Sequence, residues 1–151
     1  VELSVGCSSR CVRRMAEDHL ETVRRLTPVV RSVATYARSL SVLKKVKSRA
    51  PELHTKSGLM LGLGETDDEL HQALRDLREV RCDILTLGQY LQPSQKHLPV
   101  TEFIHPDKFA EHKETAETMG FLHVASGPLV RSSYHADDFT PERFAFKHDQ
   151  A

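Results

Sequence analysis

Four short stretches of the 151-residue chain carry residue types that can do chemistry. The first is "GLMLGLGETDDE", residues 58–69, where Gly58, Gly62 and Gly64 precede Glu65 and then a helix-starting pattern. Glycine lets a ligand approach the backbone closely, and uncovered N–H groups ahead of a helix attract polar or anionic ligand groups. An ordinary tight strand-to-helix turn uses the same residues. The spacing is not G-x-G-x-x-G, because Asp67 stands where the third glycine would be, so a dinucleotide fold is disfavoured. In the second stretch, "QYLQP", Gln89 and Tyr90 close an apolar run and either face a ligand at its end or satisfy loop backbone. The third, "GPLVRSSYHADD" at residues 127–138, sets Arg131, a serine pair, Tyr134 and His135 side by side near the chain end. The fourth is Cys7 and Cys11; a C-x3-C-x2-C triad would need a cysteine at position 14, which is Arg, and two thiolates do not hold a 4Fe-4S cluster alone. Cys82 reads as a buried structural thiol. None of the nine histidines forms H-x-x-x-H or H-E-x-x-H on a helix, which disfavours a zinc hydrolase; His97, His105 and His112 read as solvated.

These residues need elements to position them. From Leu20 the pattern reads as helical, and after "ETVRRLTPVVRS" Val33, Tyr36, Leu40, Leu43 and Val46 recur at spacings of three and four and predict one amphipathic helix, ended by Pro51. "TKSGLMLGLGE" has no alternation and predicts a strand covered on both faces. Thr66 with Glu69 forms a capping box, and Leu70, Ala73, Leu74, Leu77 and Val80 trace the stripe of the following helix. "CDILTLGQYLQP" is a second buried strand, and residues 93–106 read as loop. A helix then starts at Pro106 and runs to Gly120, with Phe109, Ala116 and Met119 inward, before a last strand in "FLHVASGP". "VELSV" at the start also reads as a strand. Strand and helix in alternation predict an α/β fold: about three to four parallel strands with flanking helices, too few to close a barrel of eight.

Length and composition bound the partners. The chain fits one domain with an aliphatic core, since Trp is absent and 39% of residues are hydrophobic. Twenty-one basic residues balance 21 acidic ones, which gives no global attraction to nucleic acid or an anionic membrane. No run of 18 apolar residues occurs, so no spanning helix is expected, and three cysteines suit a reducing compartment. Because the chain opens at Val1 directly on strand-like sequence, a fragment is expected.

Taken together, "TKSGLMLGLGETDDE", "DILTLGQYLQPSQKHLPV", "FIHPDKFAEHKETAETMGF" and "ASGPLVRSSYHAD" resemble lipoyl synthase, a radical SAM family, in order from about Leu20 to Asp138. "RSSYHA" matches the R-S-S-Y-x-A signature, which implies that Ser133 ligates the one iron of an auxiliary 4Fe-4S cluster not held by cysteine. "GLMLGLGE" is similar to the radical SAM G-x-I-x-G-x-x-E strand, implying that Gly58, Gly62 and Glu65 line the S-adenosylmethionine site, with Gln89 and Tyr90 on the same rim. "HLETV" resembles H-N-x-E-T, with His19 in place of the Asn and with Glu21 and Thr22 retained. The resemblance implies a partial radical SAM (βα) barrel in which a reduced 4Fe-4S cluster cleaves S-adenosylmethionine and two sulfurs enter C6 and C8 of a protein-bound octanoyl chain. It implies as partners the octanoylated lipoyl carrier domains of the glycine cleavage H protein and 2-oxoacid dehydrogenase E2, in bacterial cytoplasm or mitochondrial matrix, with neither nucleic acid nor membrane. The family's two cysteine triads are incomplete here. The expectation is therefore a divergent segment at 1–19, the C-terminal half of the barrel with the serine motif at 20–138, and a polar tail at 139–151. A non-catalytic fragment that keeps a carrier-protein or S-adenosylmethionine surface is the alternative.

Overall fold

The computed structural model describes residues 15–31, 33 and 35–131. Strand β1 (Met15–Glu17) is followed by a short helix α1 (Thr27–Val30) and by α2 (Tyr36–Arg49). Then come β2 (His54–Leu61), α3 (Asp67–Glu79), β3 (Ile84–Gln89), α4 (Pro106–Thr118) and β4 (His123–Gly127). The strands form one all-parallel sheet in the order β1-β2-β3-β4, so each strand lies beside its predecessor. This is α/β architecture, the arrangement of a partial βα barrel.

Side chains alternate across a strand, and that period sorts the sheet into two faces. Leu59, Leu61, Leu85, Leu87 and Val124 join the core with Leu43, Leu70, Leu74, Leu77, Phe109 and Ala116 from the helices. Each such fully buried leucine contributes roughly 1.5–3 kcal/mol relative to an exposed one. The intervening positions Gly58, Met60, Thr86 and Gly88 fall on the other face.

Local chemistry sets the helix boundaries. In α3 the Thr66 hydroxyl accepts from the Glu69 N–H while the Glu69 carboxylate accepts from the Thr66 N–H, the expected capping box. α2 starts at Tyr36, capped by Thr35, and Val33 lies outside it and exposed; the extended Thr35 ends the helical period before it reaches that valine. α4 opens on Pro106, where a missing N–H costs nothing, and His105 caps it by accepting from the Asp107 N–H. The sequence reading gave no strand at Met15–Glu17, because three residues with one buried side chain show no measurable alternation. The "VELSV" strand expectation, Cys7, Cys11 and His135 lie outside the described residues.

Candidate functional site

The carboxyl ends of parallel strands leave backbone polar groups uncovered, and a cavity of about 210 Å³ opens there. Gly58 and Met60 of β2 and Thr86 and Gly88 of β3 form its floor, with His19 and Glu21 on one side and Val130 and Arg131 on the other. No residue of the four helices lines it. The glycines shape the space. A Cβ at Gly58 would stand 2.6 Å from the Thr86 hydroxyl and 3.0 Å from His19 Nδ1, and one at Gly88 would collide with the Val130 carbonyl. Both positions thus hold backbone where any larger residue would intrude.

The segment after β1 reaches this rim by rejoining β2. The Glu21 N–H donates to the Gly58 carbonyl at 3.0 Å and the Met60 N–H donates to the Glu21 carbonyl at 2.8 Å. Glu21 has a positive φ of 68°, which bends the chain between these bonds. Arg31 fixes the same segment from behind, donating to the His19 carbonyl and to the Ser39 hydroxyl.

Of the expected site residues, Glu21, Gly58 and Gln89 line the cavity. Thr22 is fully buried and its hydroxyl has no hydrogen-bond partner among the described residues. Gly62 sits at the turn after β2 with φ 98°, its carbonyl accepting from the Thr101 and Glu102 N–H groups. Glu65 closes that turn, with one carboxylate oxygen 2.7 Å from the Gly62 N and the other 2.9 Å from the Leu63 N. Its side chain thus organises the backbone of the Gly-rich stretch. The Gln89 amide donates to the Tyr90 and Glu102 carbonyls and accepts from the Ile104 N–H. The Tyr90 hydroxyl donates to the Leu98 carbonyl at 2.8 Å. Gln89 and Tyr90 together pin the loop between β3 and α4. Ser133 lies outside the described residues.

A charged chain runs down the cavity side of the sheet. Lys56 Nζ lies 3.3 Å from Glu17 Oε1, and His19 Nε2 lies 3.6 Å from Glu17 Oε2. Lys56 is buried, with only 3% of its side chain exposed. The neighbouring His19 ring, reinforced by the Lys56 charge, holds the Glu17 carboxyl below its ordinary value despite partial burial. Sequence reading named His19 only as a substitution and passed over Glu17, Lys56, Thr86 and Gly88. The usable signal was the i, i+2 spacing of Gly58 with Met60 and of Thr86 with Gly88 on adjacent strands.

Other polar groups serve the fold. Asp76, at the buried face of α3, accepts from the Tyr36 hydroxyl at 2.9 Å and from the Gln72 amide at 2.9 Å. Burial and Asp76 raise the Tyr36 phenol above its ordinary value. Cys82 is fully buried, and burial pushes its thiol up to about 12, so it is no thiolate at neutral pH. His112, expected to be solvated, is buried beside Asp67 and edge-on to His71; burial lowers its pKa. It faces inward because α4 packs its Phe109, His112 and Ala116 stripe toward the sheet. Among the described residues no group of three His, Cys, Asp or Glu could hold a metal ion, so they offer no cluster site.

No protein-family model matches the chain. Among curated proteins, it is 58% identical over 120 residues to a lipoyl synthase of Halalkalibacterium halodurans, covering 80% of this chain and 40% of that protein. A lipoyl synthase of Geobacillus thermodenitrificans is also 58% identical over 120 residues, with the same coverage. One from Caldicellulosiruptor saccharolyticus is 57% identical over 122 residues, covering 81% of this chain and 43% of that protein. The chain thus spans about two fifths of the length of the curated relatives it matches.

Proposed function

We propose, from the premise that over four fifths of its length this chain belongs to the lipoyl synthase family, that its cavity forms part of an S-adenosylmethionine site. The whole reaction we assign to it is the insertion of two sulfurs at C6 and C8 of a protein-bound octanoyl chain. The observation that carries this reading is the cavity itself: the G-x-M-x-G strand brings Gly58 to its floor, at the rim where parallel sheets bind ligands. A ligand in this space meets both backbone and polar side chains. Gly58 and Gly88 let it lie against backbone, and His19, Glu21, Thr86 and Arg131 surround it with donors and acceptors.

In the whole enzyme a reduced 4Fe-4S cluster supplies the electron that cleaves S-adenosylmethionine. The described residues of this chain do other work. Glu65 holds the Gly62–Leu63 backbone in place, and Gln89 and Tyr90 anchor the loop that borders the rim. Ser133 is proposed as the oxygen ligand of an auxiliary cluster, by its place in the R-S-S-Y motif. The chain's three cysteines include the inert Cys82, so two 4Fe-4S clusters need thiolates from outside this sequence. That count favours a second reading for the chain by itself: a binding half that holds S-adenosylmethionine or an octanoylated carrier domain without catalysing sulfur insertion. Carrier domains of the H protein and E2 kind are the proposed partners, in bacterial cytoplasm or mitochondrial matrix.

Equilibrium dialysis of labelled S-adenosylmethionine against the 151-residue chain tests the cavity. Gly58→Ala, which puts a methyl group against Thr86 and His19, is expected to weaken binding at least about tenfold, equivalent to about 1.4 kcal/mol. Unchanged binding in a Gly58→Ala protein with native circular dichroism would overturn the assignment, as would no binding by the parent chain.

A further inference from the structure

We infer that the solvent-facing side of α2 is the surface on which the chain's protein substrate docks, a carrier domain that meets it with acidic side chains. The inference rests on the proposed sulfur insertion only for the identity of that partner. Helix α2 carries Arg38, Lys44, Lys45, Lys47 and Arg49 and no acidic residue, whereas acids outnumber bases by five to two in α3 and by four to two in α4. A chain with no net charge thus concentrates positive charge on one helix. Around the helix axis Arg38, Lys45 and Arg49 fall within about 40° of one another, a line about 16 Å long on the side away from buried Tyr36, Ser39 and Leu43. All three are exposed, and none of their side chains is hydrogen-bonded or ion-paired among the described residues. Arg24, Arg25, Arg31 and Lys47, by contrast, each face a carboxylate: Asp76, Glu69, Asp18 and Asp83. Lys45 and Arg49, four residues apart, repel each other and cost the helix stability that an acidic partner restores. Exposed Ala37, Ser41 and Ser48 keep the surface beside the line low, so no bulky side chain there holds a partner away from the cations.

The placement of α2 suits a partner that feeds the cavity. The Ser39 hydroxyl donates to Asp18, just past the end of β1, while Lys47 donates to the Leu53 carbonyl ahead of β2. The helix therefore starts level with the rim that holds the cavity and descends to the opposite rim. Val29 and Val33 stand exposed on the segment that leads into it, apolar groups for the edge of a partner that overlaps the rim. A carrier seated along α2 lies beside the cavity and extends its acyl chain across the rim on the modified side chain. Nucleic acid suits the face less well, because α2 exposes no aromatic ring for base stacking and the chain has no net positive charge. A second copy would have to offer its acidic α4, a head-to-tail contact that does not close into a dimer.

The test is fluorescence anisotropy of a labelled, octanoylated glycine cleavage H protein titrated with the full 151-residue chain. The parent is expected to bind, and to bind more weakly as salt rises from about 0.01 to 0.15 M, since exposed charges are screened. Reversing the line with Arg38→Glu, Lys45→Glu and Arg49→Glu together is expected to lose at least about tenfold in carrier affinity. Circular dichroism and S-adenosylmethionine binding by dialysis stay as in the parent. The corresponding triple glutamine variant, which removes the charges without reversing them, is expected to fall between. Unchanged carrier affinity in the reversed protein overturns the docking surface and leaves the cofactor reading intact. Should the reversed protein misfold, a natively folded glutamine variant that binds the carrier as tightly as the parent overturns it equally. No carrier binding by the parent overturns it too, and dialysis then decides the cofactor reading by itself. Duplex DNA that binds the parent more tightly than the carrier does, or self-association of the parent that the triple reversal abolishes, overturns it in favour of nucleic acid or a second copy.

Discussion

Gln89 shows what a single residue's identity can and cannot reveal. Its polarity at the end of an apolar run was legible and marked it as either ligand-facing or loop-supporting. Only coordinates show the three backbone groups its amide satisfies, because their donors and acceptors lie up to 15 residues away. Gln89→Leu keeps the volume and strands the Ile104 N–H and the Glu102 carbonyl. A loss of about 2–4 kcal/mol in urea unfolding is expected. Glu17 is the opposite case: an unremarkable glutamate in sequence, and the centre of the charged chain in space. Its carboxyl is depressed in the folded protein by the neighbouring His19 and by Lys56. A depressed folded pKa gives stability that is present above the unfolded value of 4.5 and is lost as pH falls below it. Thermal unfolding of the parent from pH 6 to pH 3 is therefore expected to show a drop that Glu17→Gln reduces.

At the scale of elements, α3 was the most legible. Its capping box and leucine stripe are local in sequence, and the structure reproduces both. Thr66→Ala removes the hydroxyl that accepts from the Glu69 N–H and is expected to cost about 1 kcal/mol in thermal unfolding, with S-adenosylmethionine binding unchanged. A large loss of binding at unchanged stability would put Thr66 on the ligand instead. The same turn sharpens the reading of Glu69, whose carboxyl is drawn down to about 2 by Arg25 and by the Thr66 N–H. β1 was not legible, since three residues paired to β2 derive their strand character from the neighbour rather than from their own pattern. The helix at 36–49 was foreseen, but its start was not; Val33 keeps the helical spacing without the helix, because spacing says nothing about where an N-cap falls.

For the molecule as a whole, fold class followed from the alternation of strands and helices, whereas the cavity did not, because its walls come from four separated stretches of chain. The cysteine inventory sets a test at this scale. With Cys82 buried and protonated, at most two thiolates remain, and the chain alone is expected to hold no stable 4Fe-4S cluster after anaerobic reconstitution. Iron and acid-labile sulfide near four per chain, with S-adenosylmethionine cleavage, would show that Cys7 and Cys11 serve a cluster after all. The serial order of the sheet has a kinetic consequence. Among the described residues β2, β3 and β4 each pair with the strand made just before, so none of the three is inserted between strands already paired. Each closure still joins residues far apart in sequence, Met15 to His54, Lys56 to Ile84 and Ile84 to His123, the non-local parallel pairing that forms slowly. Once its own crossover has closed, each new strand therefore docks on a template already made and waits for nothing further along the sheet.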